Sequence, residues 1–197
     1  VVRKRGMYME SAVPAGKGGM SAIIGLPADV VEEGCRKAEE ESGLCVVPAN
    51  YNCPGQIVVS GDKAAVDRAG ELLKEAGAKL VAPLNVSGPF HSPLLKSAGE
   101  KLAEVLTSVK FVPAKLPYVC NVSAEKVTDT SLTADMLVRQ VYSPVKWEQS
   151  VRLMLDEGVE EFIEIGPGKT LAGFMKRIDR AIPVITVNGV ADLEKLG

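Results

Sequence analysis

No apolar run in this sequence approaches the roughly 20 residues that a membrane-spanning helix requires. The opening stretch VVRKRGMYME also lacks the apolar core of a secretion signal, so the expectation is a cytosolic protein without a membrane partner. Aromatic residues make up only 5% of the 197 positions, and the net charge of -2 comes from interspersed acids and bases. That pattern excludes a nucleic-acid surface built from basic stripes and stacking rings. Cys35, Cys45, Cys53 and Cys120 form no C-x-x-C pair and have no histidine at ligand spacing, which argues against a zinc site or a redox motif and for reduced, mostly buried thiols. Histidine occurs once, as His91. The G-x-S-x-G elbow that carries an α/β nucleophile is missing, since GGMSA, VVSGD and NVSGP all have the wrong spacing.

What is present is enough to build a substantial core, with 46% hydrophobic and 24% charged residues, as one large or two small domains. The chain opens at Val1 with a segment that already reads as helix and has no capping residue ahead of it, so it is expected to be a fragment. After a Pro/Gly hinge at 13–19, MSAIIGL reads as a strand. PADVVEEGCRKAEEES reads as a helix with Pro27 in its first turn and Gly43 at its end. A strand LCVVPAN, a turn YNCPG, a strand QIVVSG, a helix DKAAVDRAGELLKEAG and a strand KLVAPL complete a βαββαβ order over 18–84. That order is the ferredoxin-like arrangement, an antiparallel sheet with both helices on one face.

The remainder alternates differently. A helix over 92–108, the strand LPYVCNV, helices TADMLVRQVY and SPVKWEQSVRLMLDEG, the strand EEFIEIG, the helix KTLAGFMKRI and the strand IPVITVN suggest a mostly parallel sheet covered on both faces. The expected fold class is therefore α/β: an incomplete hydrolase-like domain made of 1–14 and 85–197, with a ferredoxin-like subdomain at 15–84 inserted into it.

Three stretches carry candidate chemistry. IEIGPGKT has the strand, Gly-rich turn and Lys-Thr of a phosphate-binding loop, but the spacing demands Gly where Ile163 stands, so a tight turn is the better interpretation. NYNCPGQ clusters Asn50, Asn52 and Gln56 around a Pro-Gly turn, where Asn commonly serves the backbone alone. In GPFHSPLLK, Ser92 and Pro93 suggest an N-cap and a first helical residue, which would put His91 at the positive end of a helix and keep its ring neutral. A neutral imidazole in a loop after a strand suits a general base, but a solitary histidine is more often a plain structural or surface residue, and no nucleophile accompanies it.

Together RKRGMYM, VPANYNCPGQIVVSG, NVSGPFHSPLL, LVRQVYSPVKW and EIGPGKTLAGFMKRI resemble, in order and spacing, the malonyl-CoA:acyl carrier protein transacylases. The resemblance spans nearly the whole chain. It implies malonyl transfer from coenzyme A to the phosphopantetheine thiol of acyl carrier protein, by a ping-pong serine-ester mechanism in fatty acid biosynthesis, with no metal and no bound cofactor. Malonyl-CoA and acyl carrier protein are the implied partners. His91 corresponds to the family's catalytic histidine and Gln140 to the residue whose backbone carbonyl orients it. Arg5 corresponds to the arginine that grips the malonyl carboxylate, where residue type alone would suggest a solvated basic helix end. Met9 would line the acyl pocket, Phe90 resembles the malonyl-selective subgroup, and Asn50, Asn52 and Gln56 match a polar strip nearby. The family's serine elbow and oxyanion glutamine have no counterpart in these residues, so the chain alone is expected to be inactive. The alternatives are a truncated, non-catalytic module that binds the carrier protein and, more weakly, a ligand-sensing unit at 18–84.

Overall fold

The computed structural model describes residues 1–196; Gly197, the last residue of the expected larger part, lies outside them. The protein is an α/β chain. Helix α1 (Val2–Ser11) leads through the hinge into strand β1 (Gly18–Ile24), and α2 (Ala28–Ser42), β2 (Val46–Cys53), β3 (Gln56–Asp62), α3 (Lys63–Glu75) and β4 (Leu80–Pro83) follow. These four strands form one antiparallel sheet in the order β2-β3-β1-β4. Side chains alternate across it as the strand period requires. Ile23, Ile57 and Val59 pack with Val31, Cys35, Ala38, Ala65, Ala69 and Leu73 of the two helices. Met20, Ala49 and Val58 form a second core on the opposite face, against Phe90.

Helix α2 owes its place to burial. Val31, Cys35 and Ala38 recur at helical spacing and are almost fully enclosed, and burying a side chain of Val or Leu size contributes about 1.5–3 kcal/mol. The pairs of Arg36 with Glu33 and Glu40 on its outer face are exposed and screened, and so contribute little. Gly43 ends the helix in the left-handed conformation, with its N–H donating to the carbonyl of Glu39.

Beyond β4 the chain crosses to a third core. A 3-10 turn at Pro93–Leu95 runs into α4 (Lys96–Leu106), which packs on α1 and α5 (Thr133–Tyr142) through Met9, Leu95, Ala98, Leu102 and Val141. Gly99 permits the approach of α5, because a Cβ there would lie 2.7 Å from the ring of Tyr142. Strands β5 (Tyr118–Cys120) and β6 (Glu125–Val127) form an antiparallel hairpin; after α6 (Trp147–Asp156), β7 (Phe162–Ile165) and β8 (Val184–Val187) pair in parallel around α7 (Thr170–Ile178).

Three expectations need correction. The residues Tyr51, Asn52 and Cys53 belong to β2 rather than to a turn, and only Pro54 and Gly55 close the hairpin. The reason is remote: the N–H of Tyr51 donates to the carbonyl of Val145 at 2.9 Å, and the N–H of Val145 to that of Ala49 at 2.8 Å, which holds β2 extended from its outer side. The apolar segment 116–122 is mostly irregular, and its short strand pairs antiparallel with β6, a three-residue strand too brief to leave a periodic signal. Among the described residues parallel pairing is limited to β7 with β8 and a single bridge between Asn50 and Val145, rather than extending through one large sheet.

Candidate active site

The turn at Gly88–Ser92 is fixed by close packing. Pro89 is enclosed, and a Cβ on Gly18 would overlap its ring, so the loop lies directly on β1. Buried Ser92 donates its Oγ–H to the carbonyl of Pro89 at 2.7 Å. His91 is held between them at φ 59°, a left-handed conformation that non-glycine residues adopt at a cost and mainly where function demands it.

This corrects the expected capping role. Ser92 makes no side-chain cap, Pro93 opens a 3-10 turn, and α4 begins only at Lys96. The imidazole is instead tied to the carboxyl end of α5, where Nδ1 lies 2.9 Å from the carbonyl oxygen of Gln140. A carbonyl can only accept, so Nδ1 carries the proton and Nε2 keeps its lone pair. Burial pushes the pKa of His91 below its ordinary value. The Gln140 carbonyl opposes that shift, the Arg5 charge reinforces it, and the backbone of Ser143 opposes it again. The net result is a neutral ring near pH 7, obtained by burial and a neighbouring cation rather than by a helix amino end.

His91 opens onto a cleft of about 560 Å³. Arg5 and Met9, one turn apart on α1, line it with Asn50 from β2 and Phe90, so five of the eight residues singled out from sequence share one cavity. Phe90 also packs against the core around Met20 and the core around Leu95 and Leu102, which sets the floor where they meet. Gln140 joins the site through its carbonyl alone; its side-chain amide points to Cys120 Sγ at 3.9 Å. Asn52 is not part of the cleft wall, and Gln56 is committed elsewhere, accepting from Arg177 Nη1 at 2.9 Å while Nη2 of the same guanidinium donates to the carbonyl of Pro54 at 3.2 Å.

Gly6, Glu10, Met20, Leu84, Val86 and Ser87 complete the wall. Gly6 and Glu10 accompany Arg5 and Met9 at helical spacing, and Met20 lies on the cleft face of β1, so periodicity contained a signal for these three. Leu84, Val86 and Ser87 belong to an irregular link with no period to read.

Arg5 has no ion-pair partner among the described residues, and burial lowers its pKa while leaving it fully charged at any working pH. A half-buried cation among Met9, Met20, Leu84 and Phe90 has the chemistry to pair with a small anion. The IEIGPGKT turn, by contrast, holds its own anion. The carboxylate of Glu164 accepts from the N–H groups of Leu171 and Ala172 at 3.0 and 2.9 Å, occupying the amino end of α7 where a phosphate would have to sit. All four cysteines are free, three of them buried, and burial raises Cys35 to about 12. Burial likewise raises Cys45 and Cys53, which disfavours their thiolates.

A neutral histidine held by a carbonyl thus stands beside an unpaired arginine in this cleft. The chain belongs to the acyl transferase domain family, whose pattern matches residues 1–191. It is 48% identical over 193 residues to the malonyl CoA-acyl carrier protein transacylase of Bacillus subtilis, covering 98% of this chain and 61% of that protein. The Staphylococcus aureus transacylase is 44% identical over 194 residues, with 98% and 63% covered. Among solved structures, an acyl carrier protein S-malonyltransferase from Vibrio cholerae superposes with a TM-score of 0.96 at 45% identity, over 100% of this chain and 63% of its own. A malonyl-transacylase in complex with a type II PKS acyl-carrier protein gives 0.94 at 41% identity, over 98% and 63%. The chain thus spans somewhat over three fifths of the length of these relatives.

Proposed function

We propose that this chain is the histidine- and arginine-bearing part of a malonyl-CoA:acyl carrier protein transacylase, with the nucleophilic serine supplied by the portion of the family fold that these residues do not span. The observation that carries this is the Nδ1–carbonyl contact of His91 with Gln140, in the same cleft as the unpaired Arg5. Nε2 takes the serine proton as the serine oxygen attacks the malonyl thioester carbonyl. The imidazolium formed is stabilised by the Gln140 carbonyl at the negative end of α5, and it returns the proton to the departing coenzyme A sulfur. The thiol of the carrier protein then attacks the ester by the reverse sequence. Arg5 binds the malonyl carboxylate through its planar fork, Met9 and Phe90 shape the space around it, and Asn50 supplies a polar group from the opposite wall.

We assign 15–84 to a ferredoxin-like subdomain and 1–14 with 85–197 to the hydrolase-like one; the β4-β1-β3-β2 order with α2 and α3 on one face supports this. The cleft then lies between the two parts. Asn52 and Gln56 serve the polar strip at the edge of β2 and β3, with Gln56 fastening the hairpin to α7. Malonyl-CoA and the carrier protein are substrates, consistent with a role in fatty acid synthesis.

Labelling tests this. Radiolabelled malonyl-CoA should leave no stable ester on the isolated chain, whereas a chain extended to the length of its relatives should form one and pass it to carrier protein. Stoichiometric labelling of a serine within residues 1–197 would overturn the assignment, and an extended chain that binds carrier protein without ever becoming labelled would favour a non-catalytic module.

A further inference from the structure

The orphan carbonyl that holds His91 exists because of a specific residue. In a continuing α-helix the carbonyl of residue 140 would accept the N–H of residue 144. Residue 144 is proline, which has no N–H, and its ring drives the preceding residue out of the helical conformation. Ser143 accordingly stands at φ -110° and ψ 155°, its N–H donating to Arg139 at 2.9 Å as the last bond of α5. The next available N–H, on Val145, is already given to the carbonyl of Ala49 at 2.8 Å, and the N–H of Lys146 to Asn121 at 2.9 Å. Gln140 O is therefore left to Nδ1 of His91 by every backbone donor that could reach it from downstream.

We propose that Pro144 is a positioning residue for the base: by withholding an N–H from the carbonyl of Gln140, it reserves that oxygen for His91 and fixes the Nδ1–H tautomer. The same segment sets the far wall of the cleft, because Val145 bonds to the residues on either side of Asn50 in β2. Residues 143–146 thus join the orientation of the base to the placement of β2. The catalytic consequence rests on the reading of His91 as base; the tautomer does not, and it is measured without activity.

Because His91 is the sole histidine, its ring nitrogens give a single pair of signals in nitrogen-15 NMR of the isolated chain. In the unaltered chain Nδ1 should be the protonated nitrogen. Pro144→Ala supplies a competing N–H, and the ratio of Nδ1–H to Nε2–H tautomers should fall about fivefold, the equivalent of one net hydrogen bond. The imidazole pKa should fall further, since the Gln140 acceptor that favours the imidazolium is lost while burial, Arg5 and the backbone acceptor of Ser143 stay; the carboxylate of Glu10 on the cleft wall is unchanged. If Pro144 merely braced the fold, loosening would hydrate the ring and its pKa would rise toward the ordinary value. Lactic acid in place of residue 144, which has an ester oxygen where alanine has the N–H, should leave tautomer and pKa as they are. This second variant decides the matter if the alanine chain fails to fold. A folded Pro144→Ala chain with an undisturbed Nδ1–H form, or a lactic acid chain that loses it, overturns the proposal.

Discussion

Nδ1 of His91 and the main-chain oxygen of Gln140 lie 2.9 Å apart although 49 residues separate them in the chain. This bond spans the gap between the loop after β4 and the end of α5, and it uses a backbone atom where serine hydrolases often use a carboxylate. A neutral acceptor orients the ring without adding a negative charge. Burial and Arg5 can then keep the imidazole unprotonated near pH 7.

Stability should report that balance. The folded imidazole has a lower pKa than the unfolded one, so the unfolded chain binds the extra proton first as pH falls. The stabilisation is complete above the unfolded value of about 6.5 and is lost as pH drops from there through the folded value. With one histidine in the chain, urea unfolding between about pH 7 and 5.5 isolates this group. The slope should be positive with pH and largely vanish in His91→Gln; a slope unaffected by the substitution would place His91 in water.

In the chain extended to the length of its relatives, His91→Ala should reduce kcat for malonyl transfer by roughly 10²–10⁴-fold, the usual contribution of a positioned base. Gln140→Ala keeps the carbonyl and gives up only a long side-chain contact to Cys120, so activity should stay within about threefold. Equal losses in folded variants would mean that the amide, rather than the backbone, carries the role.

Gly99→Ala tests the packing that delivers α5 to the site. The added methyl would meet the Tyr142 ring at 2.7 Å and the carbonyl of Val138 at 3.3 Å, and overpacking of this kind costs about 1–3 kcal/mol. Urea unfolding should show that loss together with a disturbed His91 tautomer. A fully stable variant would mean that Tyr142 turns aside freely.

Gln56→Ala should separate the hairpin from the cleft. It removes the acceptor of Arg177 and leaves Arg5, Asn50 and His91 untouched, so about 1 kcal/mol or less of stability should go while kcat/KM for malonyl-CoA holds. A kinetic defect with unchanged stability would put Gln56 in contact with substrate.

The elements with strong local signals were legible in the sequence. Helix α5 occupies the ten residues its periodicity marks out, and the end of α2 falls at Gly43. The failures occur where distant contacts override local ones. Asn50 and Asn52 have turn character, but the bonds to Val145 keep β2 extended through them, with register shifts at Ala49 and Asn52. Ser92 and Pro93 look like a helix start, but Ser92 spends its hydroxyl on Pro89 to keep His91 in its unusual conformation. Family resemblance singled out eight residues, of which five line one cleft; spacing alone contained Arg5 with Met9, and it could not link His91 to a carbonyl 49 residues away.

The most direct test of the account is kcat/KM for malonyl-CoA and acetyl-CoA in the extended chain carrying Arg5→Ala or Arg5→Lys. If the guanidinium pairs with the malonyl carboxylate in a partly desolvated cleft, leaving that charge unpaired costs on the order of 2–5 kcal/mol. Malonyl transfer should therefore fall by roughly 30-fold or more in Arg5→Ala, with little rescue by lysine, which cannot reproduce two parallel hydrogen bonds. Acetyl transfer should hold or rise, since acetyl brings no charge to be paired. A parallel fall for both acyl groups would contradict the account, because Arg5 would then be supporting the fold or the coenzyme rather than recognising the malonyl group.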